Sequence, residues 1–189
     1  MISLIVGLGN PGDEYKKTRH NAGFLLLDAL AESRAATFSY DVKFKADIAK
    51  CLIGGKSVRL VKPQTFMNKS GLSVSACAHY FNVPVGQIMV VHDELDLDPG
   101  VIRFKCGGGH GGHNGLRDIA SHMSSKDFYR LRVGIGHPGD RNKVSNYVLR
   151  APNRGDRELI MNAVAQGVDE MPNICKGELQ TAMQRLHTQ

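Results

Sequence analysis

Residues 47–61, Asp-Ile-Ala-Lys-Cys-Leu-Ile-Gly-Gly-Lys-Ser-Val-Arg-Leu-Val, hold two strand-like runs, Asp47–Ile53 and Ser57–Val61, on either side of Gly54-Gly55. Paired glycines between two such runs predict a tight turn and an antiparallel hairpin. Elsewhere strand-like and helix-like runs alternate, which is the pattern of strands joined by helices. A hairpin inside that pattern predicts a mixed sheet.

On either side of the hairpin, apolar runs and helical spacing predict the other elements. The further strands are expected at Ser3–Leu8, Ile88–His92, Val101–Lys105 and Arg130–Ile135. Helices are expected at Ala22–Ser33, Ser70–Phe81, Leu116–Met123, Asp156–Asp169 and Lys176–Leu186, with Pro172 separating the last two. No repeat or linker divides the chain. We therefore expect a single α/β domain over residues 1–189, with a twisted mixed β-sheet flanked by helices on both faces.

The composition is that of a globular protein with a positive charge. The chain has 189 residues, of which 42% are hydrophobic and 22% charged, and a net charge of +6. Length and composition suit one domain with a substantial core. No apolar run reaches the roughly 18 residues that a membrane helix needs. The four cysteines form no CxxC pair, so reduced thiols in the cytosol are expected, and the positive charge favours a polyanionic partner.

Two stretches rich in glycine, histidine and asparagine point to a site rather than a core. Residues 15–23 read Tyr-Lys-Lys-Thr-Arg-His-Asn-Ala-Gly, and residues 107–115 read Gly-Gly-Gly-His-Gly-Gly-His-Asn-Gly. Each places a histidine beside an asparagine in a loop that opens a helix. We therefore expect the function to lie on loops that helices hold in place.

The first glycine turn, Gly7–Gly12, matches the spacing of dinucleotide-binding proteins and follows a strand. In such proteins the last glycine lies inside a helix, whereas here Pro11 and a polar stretch follow. A tight turn that presents Asn10 at the end of a strand fits the sequence better. Alternatively, Asn10 merely tolerates a turn conformation.

His20 and Asp93 are the candidate acid–base pair. Neutral imidazole accepts a proton near neutral pH, so His20 could serve as a general base, although a lone histidine at a helix start often bonds only locally. Asp93 follows a strand, where α/β sheets place chemistry, and a carboxylate there could orient an imidazole. The alternatives for this acidic segment are a simple turn before Pro99-Gly100 or a Mg²⁺ site.

The glycine-rich loop admits three interpretations. Its backbone N–H groups could cradle phosphate, although it is not a P-loop. His110 and His113 with His92 could bind zinc, but no cysteine or glutamate joins them at the usual spacing. A loop whose missing side chains leave room for a substrate fits better, with Asn114 as donor and acceptor at the following helix start.

The segment from Lys62 to Gly71 leads from a strand into a helix. Asn68 or Ser70 could cap that helix. Alternatively, the amide of Asn68 could donate to a substrate while Phe66 and Met67 form an apolar wall.

Basic residues become frequent around and after the glycine-rich loop. They are Lys105, Arg117, Arg130, Arg132, Arg141, Lys143 and Arg150. They form either a solvated face or a track for a phosphate backbone. The sequence has no Gly-x-Ser-x-Gly elbow and no cysteine in an evident activating setting, so a hydrolase of this sequence would use water as its nucleophile. An activated ester is an easier target than an amide for a single histidine base.

Taken together, these segments resemble the bacterial peptidyl-tRNA hydrolases. The resemblance rests on Gly7–Gly12, Tyr15–Gly23, Phe66–Asn68, His92–Leu95, Gly107–Ile119 and Arg130–Gly139, in order and at the family's spacing. It runs from Ile2 to Leu149 and continues more weakly to the C-terminus. It implies a monomeric cytoplasmic esterase, with no cofactor, no metal and no membrane contact, that cleaves the ester between a peptide and the 3′-terminal ribose of tRNA.

The resemblance also assigns roles to single residues. His20 takes the position of the catalytic base and Asp93 that of its partner acid. The amides expected to hold the peptidyl end, the water and the terminal adenosine region are Asn10, Asn68 and Asn114. Residues expected at the channel wall, or beside it, are Tyr15, Phe66, Met67 and His113. Lys105 and Arg132 match the pair that clamps the 5′-phosphate of the acceptor stem.

Two other classes stay open at this point. A nucleotide-dependent enzyme would use the first glycine turn and bind NAD or ATP. A non-catalytic RNA-binding module would bind tRNA without turnover, although the chain lacks the stacking aromatic pattern of RNA-recognition modules.

Overall fold

Seven strands form one sheet in the computed structural model, which describes residues 1–187. The last two residues of the expected domain, 188 and 189, lie outside that range. In chain order the strands are β1 (Leu4–Gly7), β2 (Ser39–Asp41), β3 (Ala46–Ile53), β4 (Lys56–Pro63), β5 (Ile88–Glu94), β6 (Ile102–Cys106) and β7 (Tyr129–Gly134). Their order across the sheet is β2-β3-β4-β1-β5-β7-β6.

The sheet is mixed, as the hairpin predicts. β1 pairs in parallel with β4 and with β5, and β5 pairs in parallel with β7. β3 and β4 form the antiparallel hairpin, in which Ile53 lies opposite Lys56 across the glycine turn. β2 and β6 pair antiparallel at the two edges. The predicted fold class is therefore confirmed.

Six helices cover both faces of the sheet. They are α1 (Ala22–Ser33), α2 (Ser70–Tyr80), α3 (Asn114–Met123), α4 (Val144–Val148), α5 (Arg154–Lys176) and α6 (Leu179–His187). One core cluster joins α1, α5 and α6 to one face, and a second joins α2 and α3 to the other. Alternate residues of β5 show the division, because Met89 and Val91 belong to the first cluster, and Ile88 and Val90 to the second. In residues 1–187 no helix is both long and apolar enough to cross a bilayer.

The expectation that Pro172 separates the last two helices is wrong. α5 runs through Pro172 and ends at Lys176. A proline inside a helix costs about 3 kcal/mol because it lacks an N–H donor. Here Met171, Ile174 and Cys175 are fully buried on both sides of it. Burial of a large side chain contributes about 1.5–3 kcal/mol, so packing of this turn outweighs the penalty.

Two short elements carry no sequence signal, and sequence analysis missed them. β2 has three residues, all outside the core, and its pairing with β3 defines it as a strand. α4 has five residues, too few to show a helical period. β2 is defined by its pairing with β3, the next strand along the chain, and not by a pattern of its own residues.

Candidate active site

The buried carboxylate of Asp93 lies at the centre of the site. Asp93 stands at the carboxyl end of β5, the end at which parallel strands place chemistry. The Nδ1 atom of His20 lies 2.9 Å from its Oδ2, and the Nε2 atom of His113 lies 2.8 Å from its Oδ1. His20 belongs to a single 3-10 turn directly before α1, and His113 directly precedes α3. Two helix starts thus bring two imidazoles to one strand end.

The charges in this cluster keep Asp93 ionised and favour the protonated form of His20. Burial raises the pKa of Asp93, but the two imidazoles outweigh it and hold that pKa well below its usual range. Burial lowers the pKa of His20, but the charge and hydrogen bond of Asp93 outweigh it and leave the pKa raised. Asp93 is therefore ionised and accepts the Nδ1 proton of His20, which leaves the Nε2 lone pair of neutral His20 available as a base.

A third histidine, His92, is fixed as a neutral group. Its Nδ1 donates to the backbone carbonyl of Asp93 at 2.7 Å. Burial, and then the neighbouring His113, lower the pKa of His92 to about 3. Its ring lies edge-on to that of His113, with 5.1 Å between the centroids. His92 therefore supports the ring of His113 without carrying charge.

The metal sets considered from the sequence do not assemble. Among residues 1–187 the single group of three potential ligand atoms within 4.8 Å of one another is that of His20, Asp93 and His113. His92 and His110 are not part of it, and neither are the acids that follow Asp93. A zinc ion would sit about 2.0–2.2 Å from each of the three atoms, whereas Asp93 lies at hydrogen-bond distance from both imidazoles. The group can hold a metal only if these two bonds open.

The turn after β1 holds Asn10 in a defined orientation. Its Oδ1 accepts a hydrogen bond from the backbone N–H of Met67 at 2.7 Å. The side chain of Asn21 binds the backbone of Asn10 at both its N–H and its carbonyl, each at 2.9 Å. The Nδ2 group of Asn10 has no partner within residues 1–187. This amide is therefore a preorganised donor. Asn21, the neighbour of His20 in the sequence, joins the turn of Asn10 to the segment that contains His20.

Three residues predicted to line a channel, Tyr15, Phe66 and Met67, lie near the turn that contains Asn10. The rings of Tyr15 and Phe66 meet edge to face with 6.5 Å between centroids. Phe66 is 58% exposed, whereas Met67 is buried beneath it in the core formed with α2 and α3. The exposed ring of Phe66, the half-buried ring of Tyr15 and the buried Met67 together form an apolar surface.

Asn68 and Asn114 are exposed and lie at the starts of two helices. Asn68 is in the 3-10 turn Met67–Lys69 before α2, and neither Asn68 nor Ser70 caps that helix. Ser70 instead donates to the carbonyl of Met67 at 2.8 Å. Asn114 is the first residue of α3, and its Oδ1 accepts from Arg117 at 3.3 Å. The cap interpretation of Asn68 is therefore wrong, and its amide is free for other contacts.

The predicted phosphate clamp lies on the antiparallel pair β6–β7. Lys105 stands opposite Arg130 in the register of these strands, and Arg132 follows on the same face. Arg132 is half-buried and pairs with Glu94 at 2.9 Å. Burial, and then the charges of Arg132 and Arg130, lower the pKa of Lys105. The three cations are thus close enough to repel one another, which favours a bound anion.

Two residues of this region were missed as site residues. Asn21 adjoins His20 in the sequence, and this adjacency was the available signal. Arg130 was grouped with the surface cations, but it is 2% exposed and binds the carbonyls of the glycine-rich loop. Because those carbonyls lie more than 20 residues away in the chain, no local pattern indicates the contact.

Comparison with known proteins identifies the family. The sequence model of the family described as peptidyl-tRNA hydrolase matches residues 4–189. The chain is 50% identical to the peptidyl-tRNA hydrolase of Nitrosomonas europaea over 187 residues, covering 99% of this chain and 96% of that protein. It is 52% identical to that of Alcanivorax borkumensis over 187 residues, covering 98% and 96%.

Solved structures agree as well. The crystal structure of peptidyl-tRNA hydrolase from Acinetobacter baumannii is 45% identical, with a TM-score of 0.96 and coverage of 99% of this chain and 95% of that one. A peptidyl-tRNA hydrolase in complex with N-propanol gives a TM-score of 0.97 at the same identity and coverage. The chain therefore belongs to the peptidyl-tRNA hydrolase family, and the predicted enzyme class is confirmed.

Proposed function

We propose that this chain hydrolyses the ester between a peptide, or an N-blocked amino acid, and the 3′-terminal ribose of tRNA, with His20 as general base and Asp93 as its partner. Family membership supports the substrate class. The observation that carries the mechanism is the hydrogen bond from Nδ1 of His20 to the ionised, buried carboxylate of Asp93. It sets the tautomer in which Nε2 can accept a proton.

The reaction begins when Nε2 of His20 takes a proton from water. The resulting hydroxide attacks the ester carbonyl and a tetrahedral intermediate forms. Asp93 stabilises the imidazolium that forms, since its charge favours the protonated form of His20 and raises its pKa. The bond to the ribose oxygen then breaks, and the imidazolium returns its proton to that oxygen. The products are a peptide carboxylic acid, which ionises by releasing a proton to solvent, and a tRNA with a free terminal hydroxyl. The reaction thus recycles tRNA from abandoned translation.

The oxyanion of the intermediate is stabilised by asparagine amides. One or more of Asn10, Asn68 and Asn114 supply the donor, and losing such a donor typically costs about 3 kcal/mol in the transition state. Asn10 is the best preorganised of the three, because Met67 and Asn21 fix its acceptor and its backbone. The same asparagines hold the peptidyl end, the water and the terminal adenosine region.

Recognition of the substrate divides between the apolar surface and the cations. Tyr15, Phe66 and Met67 contact the peptidyl end, with His113 beside them. Lys105 and Arg132 bind the 5′-phosphate of the acceptor stem through charge. On this proposal the enzyme works as a monomer in the cytoplasm.

The decisive experiment measures release of deacylated tRNA from N-acetyl-aminoacyl-tRNA by the wild type and by His20→Ala, with and without EDTA. We expect turnover in both conditions for the wild type and none for the variant, with unchanged far-UV circular dichroism. A variant that keeps most of its rate contradicts the base assignment. A wild type that binds tRNA without turnover contradicts the esterase and favours the RNA-binding module. Activity lost in EDTA and restored by zinc indicates a metal held by His20, Asp93 and His113.

A further inference from the structure

Arg130 is a buried cation without a carboxylate partner. It is 2% exposed and the largest fully buried side chain of the described chain, and no carboxylate of residues 1–187 forms an ion pair with it. Its guanidinium lies over the ring of Phe128 with 4.8 Å to the centroid. A buried charge is costly unless hydrogen bonds compensate it, so its position needs a specific explanation.

The compensation comes from the glycine-rich loop, residues 107–112. Nη2 of Arg130 donates to the carbonyl of Gly108 at 2.6 Å, and Nη1 donates to the carbonyl of Gly109. The two bonds use the planar fork of the guanidinium, which matches two adjacent acceptors as an ammonium group does not. Arg130 therefore fixes two successive peptide planes of the loop from the inside.

Fixing the carbonyls also fixes the N–H groups of the same peptides. In a trans peptide the N–H points opposite to the C=O, so the N–H groups of Gly109 and His110 point away from Arg130. Neither N–H has a partner among the residues that the structure describes. A Cβ added at Gly109 would meet nothing within 4 Å, so the space beside this residue is open. Charge on the inner side of a peptide also strengthens donation on its outer side.

Lys105 lies beside these donors. A Cβ added at Gly108 would meet the ammonium of Lys105 at 2.8 Å, and Gly108 has a φ of +99° that favours glycine. The ammonium of Lys105 therefore lies close to the loop at Gly108. Two outward N–H groups next to a half-exposed ammonium form a surface complementary to a phosphate oxygen.

We propose that Arg130 is a positioning residue, which acts through the carbonyls of Gly108 and Gly109 to present the N–H groups of Gly109 and His110, beside Lys105, to a backbone phosphate of the RNA substrate. This inference rests on the proposed function for the identity of the ligand. Arg130 itself touches no RNA. Its contribution lies in substrate binding and not in the chemical step.

The test compares Arg130→Lys and Arg130→Gln with the wild type. A deacylated RNA minihelix containing the acceptor stem is titrated, and its Kd is followed by fluorescence anisotropy. We expect both variants to raise Kd about tenfold, the magnitude of one or two lost hydrogen bonds. In turnover we expect KM to rise about as much, with kcat within twofold. Arg59→Gln is the matched control and should leave Kd and KM unchanged, because Arg59 lies on β4 and stacks on Phe81.

The lysine variant decides between geometry and charge. If Arg130→Lys binds the minihelix as the wild type does, charge alone suffices and the inference is overturned. It is equally overturned if both variants bind normally, or if kcat falls and Kd does not. If the Arg130 variants unfold below the assay temperature, Gly108→Ala replaces them. This variant keeps Arg130 and disturbs the same loop, because Gly108 has a φ of +99° that an alanine rarely adopts. The inference then requires a similar rise in Kd, and normal binding refutes it.

The binding and turnover assays distinguish a failure of the proposed function from a failure of the inference about Arg130. A wild type that binds the minihelix but releases no deacylated tRNA contradicts the proposed function. The Kd values of the Arg130 variants then still test the inference about Arg130. A wild type with full turnover whose Arg130 variants bind normally contradicts the inference alone.

Discussion

At the scale of single residues, one carboxylate organises the site. Asp93 accepts from His20, 73 positions away, and from His113, 20 positions away. Because the carboxylate is buried, it has little competing hydration, and its charge acts strongly on both rings. This arrangement sets the tautomer of His20 and raises its pKa.

The first prediction concerns the pH dependence of Asp93→Asn. In the wild type, kcat/KM should rise with pH through a pKa above 6.5, because His20 must be neutral to act as a base. Without the charge of Asp93 the pKa of His20 falls, so the acid limb should move to lower pH. The plateau should fall by about four orders of magnitude, because the imidazole loses the partner that fixes its tautomer and orientation. Stopped-time assays from pH 5 to 9 measure both effects.

Asp96→Asn is the control, since Asp96 is exposed in the turn that follows the same strand. An acid limb that stays in place in Asp93→Asn would mean that His20 is not the titrating base.

The second prediction concerns Asn10 and the choice between blocked and free amino groups. Asn10→Asp keeps the acceptor that binds the N–H of Met67 but replaces the free amide donor by a second acceptor. An aminoacyl-tRNA has a cationic amine, whereas a peptidyl-tRNA has a neutral amide. We expect the ratio of kcat/KM for N-acetyl-aminoacyl-tRNA over aminoacyl-tRNA to fall at least tenfold. An unchanged ratio would remove Asn10 from substrate discrimination.

At the scale of elements, the start of α1 is held against β1 and β5 by a close approach at Gly23. Phe24 N–H donates to the carbonyl of Leu8, and a Cβ at Gly23 would overlap Leu8 N and the carbonyl of Val91. Both of these groups are backbone and cannot move aside easily. The same approach places the turn that contains His20 above the carboxyl ends of the two strands.

We therefore predict that Gly23→Ala is destabilising. Overpacking of this kind costs about 3 kcal/mol, which corresponds to a Tm lower by roughly 6–12 °C in a chain of this size. Gly86→Ala is the matched control, because a Cβ there meets nothing within 4 Å. Calorimetry that gives the two variants equal Tm values would show that α1 can shift without cost.

In the long helix α5, by contrast, a substitution at Pro172 is expected to stabilise the protein. Pro172 leaves the carbonyl of Val168 without the usual helical donor, and Pro172→Ala restores that donor. We expect the free energy of unfolding to rise by about 1 kcal/mol or more, measured by urea denaturation. A lower stability would mean that the helix has a kink at Pro172 on which its packing depends.

In the molecule as a whole, Lys105, Arg130 and Arg132 lie on β6 and β7, at the β6 edge of the sheet. The C-terminal helix α6 covers part of this edge, because Arg103 donates to the carbonyl of Leu186, and His187 accepts from the N–H of Phe104. The face that carries Lys105, Arg130 and Arg132 lies next to this covered edge. Three cations of the protein are therefore grouped where RNA is proposed to bind.

The last prediction uses this distribution of charge. Lys105→Ala should weaken tRNA engagement and lower the slope of log(kcat/KM) against log[salt] by about 0.9, the value of one released counterion. Lys50→Ala should leave the slope unchanged, because Lys50 is exposed on β3 toward the opposite edge of the sheet. Equal slopes for Lys105→Ala and the wild type would exclude Lys105 from the phosphate contacts.

Elements with strong local signals could be predicted from the sequence. The hairpin 47–61 and the helix Ala22–Ser33 follow from apolar spacing and paired glycines, because such signals depend on neighbouring residues alone. The motifs around His20, Asp93 and Asn114 also identified the family, which the comparisons confirm.

Contacts between distant groups, in contrast, became visible in the folded structure. It brought two imidazoles to Asp93, placed Arg130 beneath the glycine-rich loop and kept Pro172 inside α5. In each case a long-range contact or the burial of a whole face overrides a local preference. Such contacts depend on how the layers pack, and no window of the sequence contains both partners.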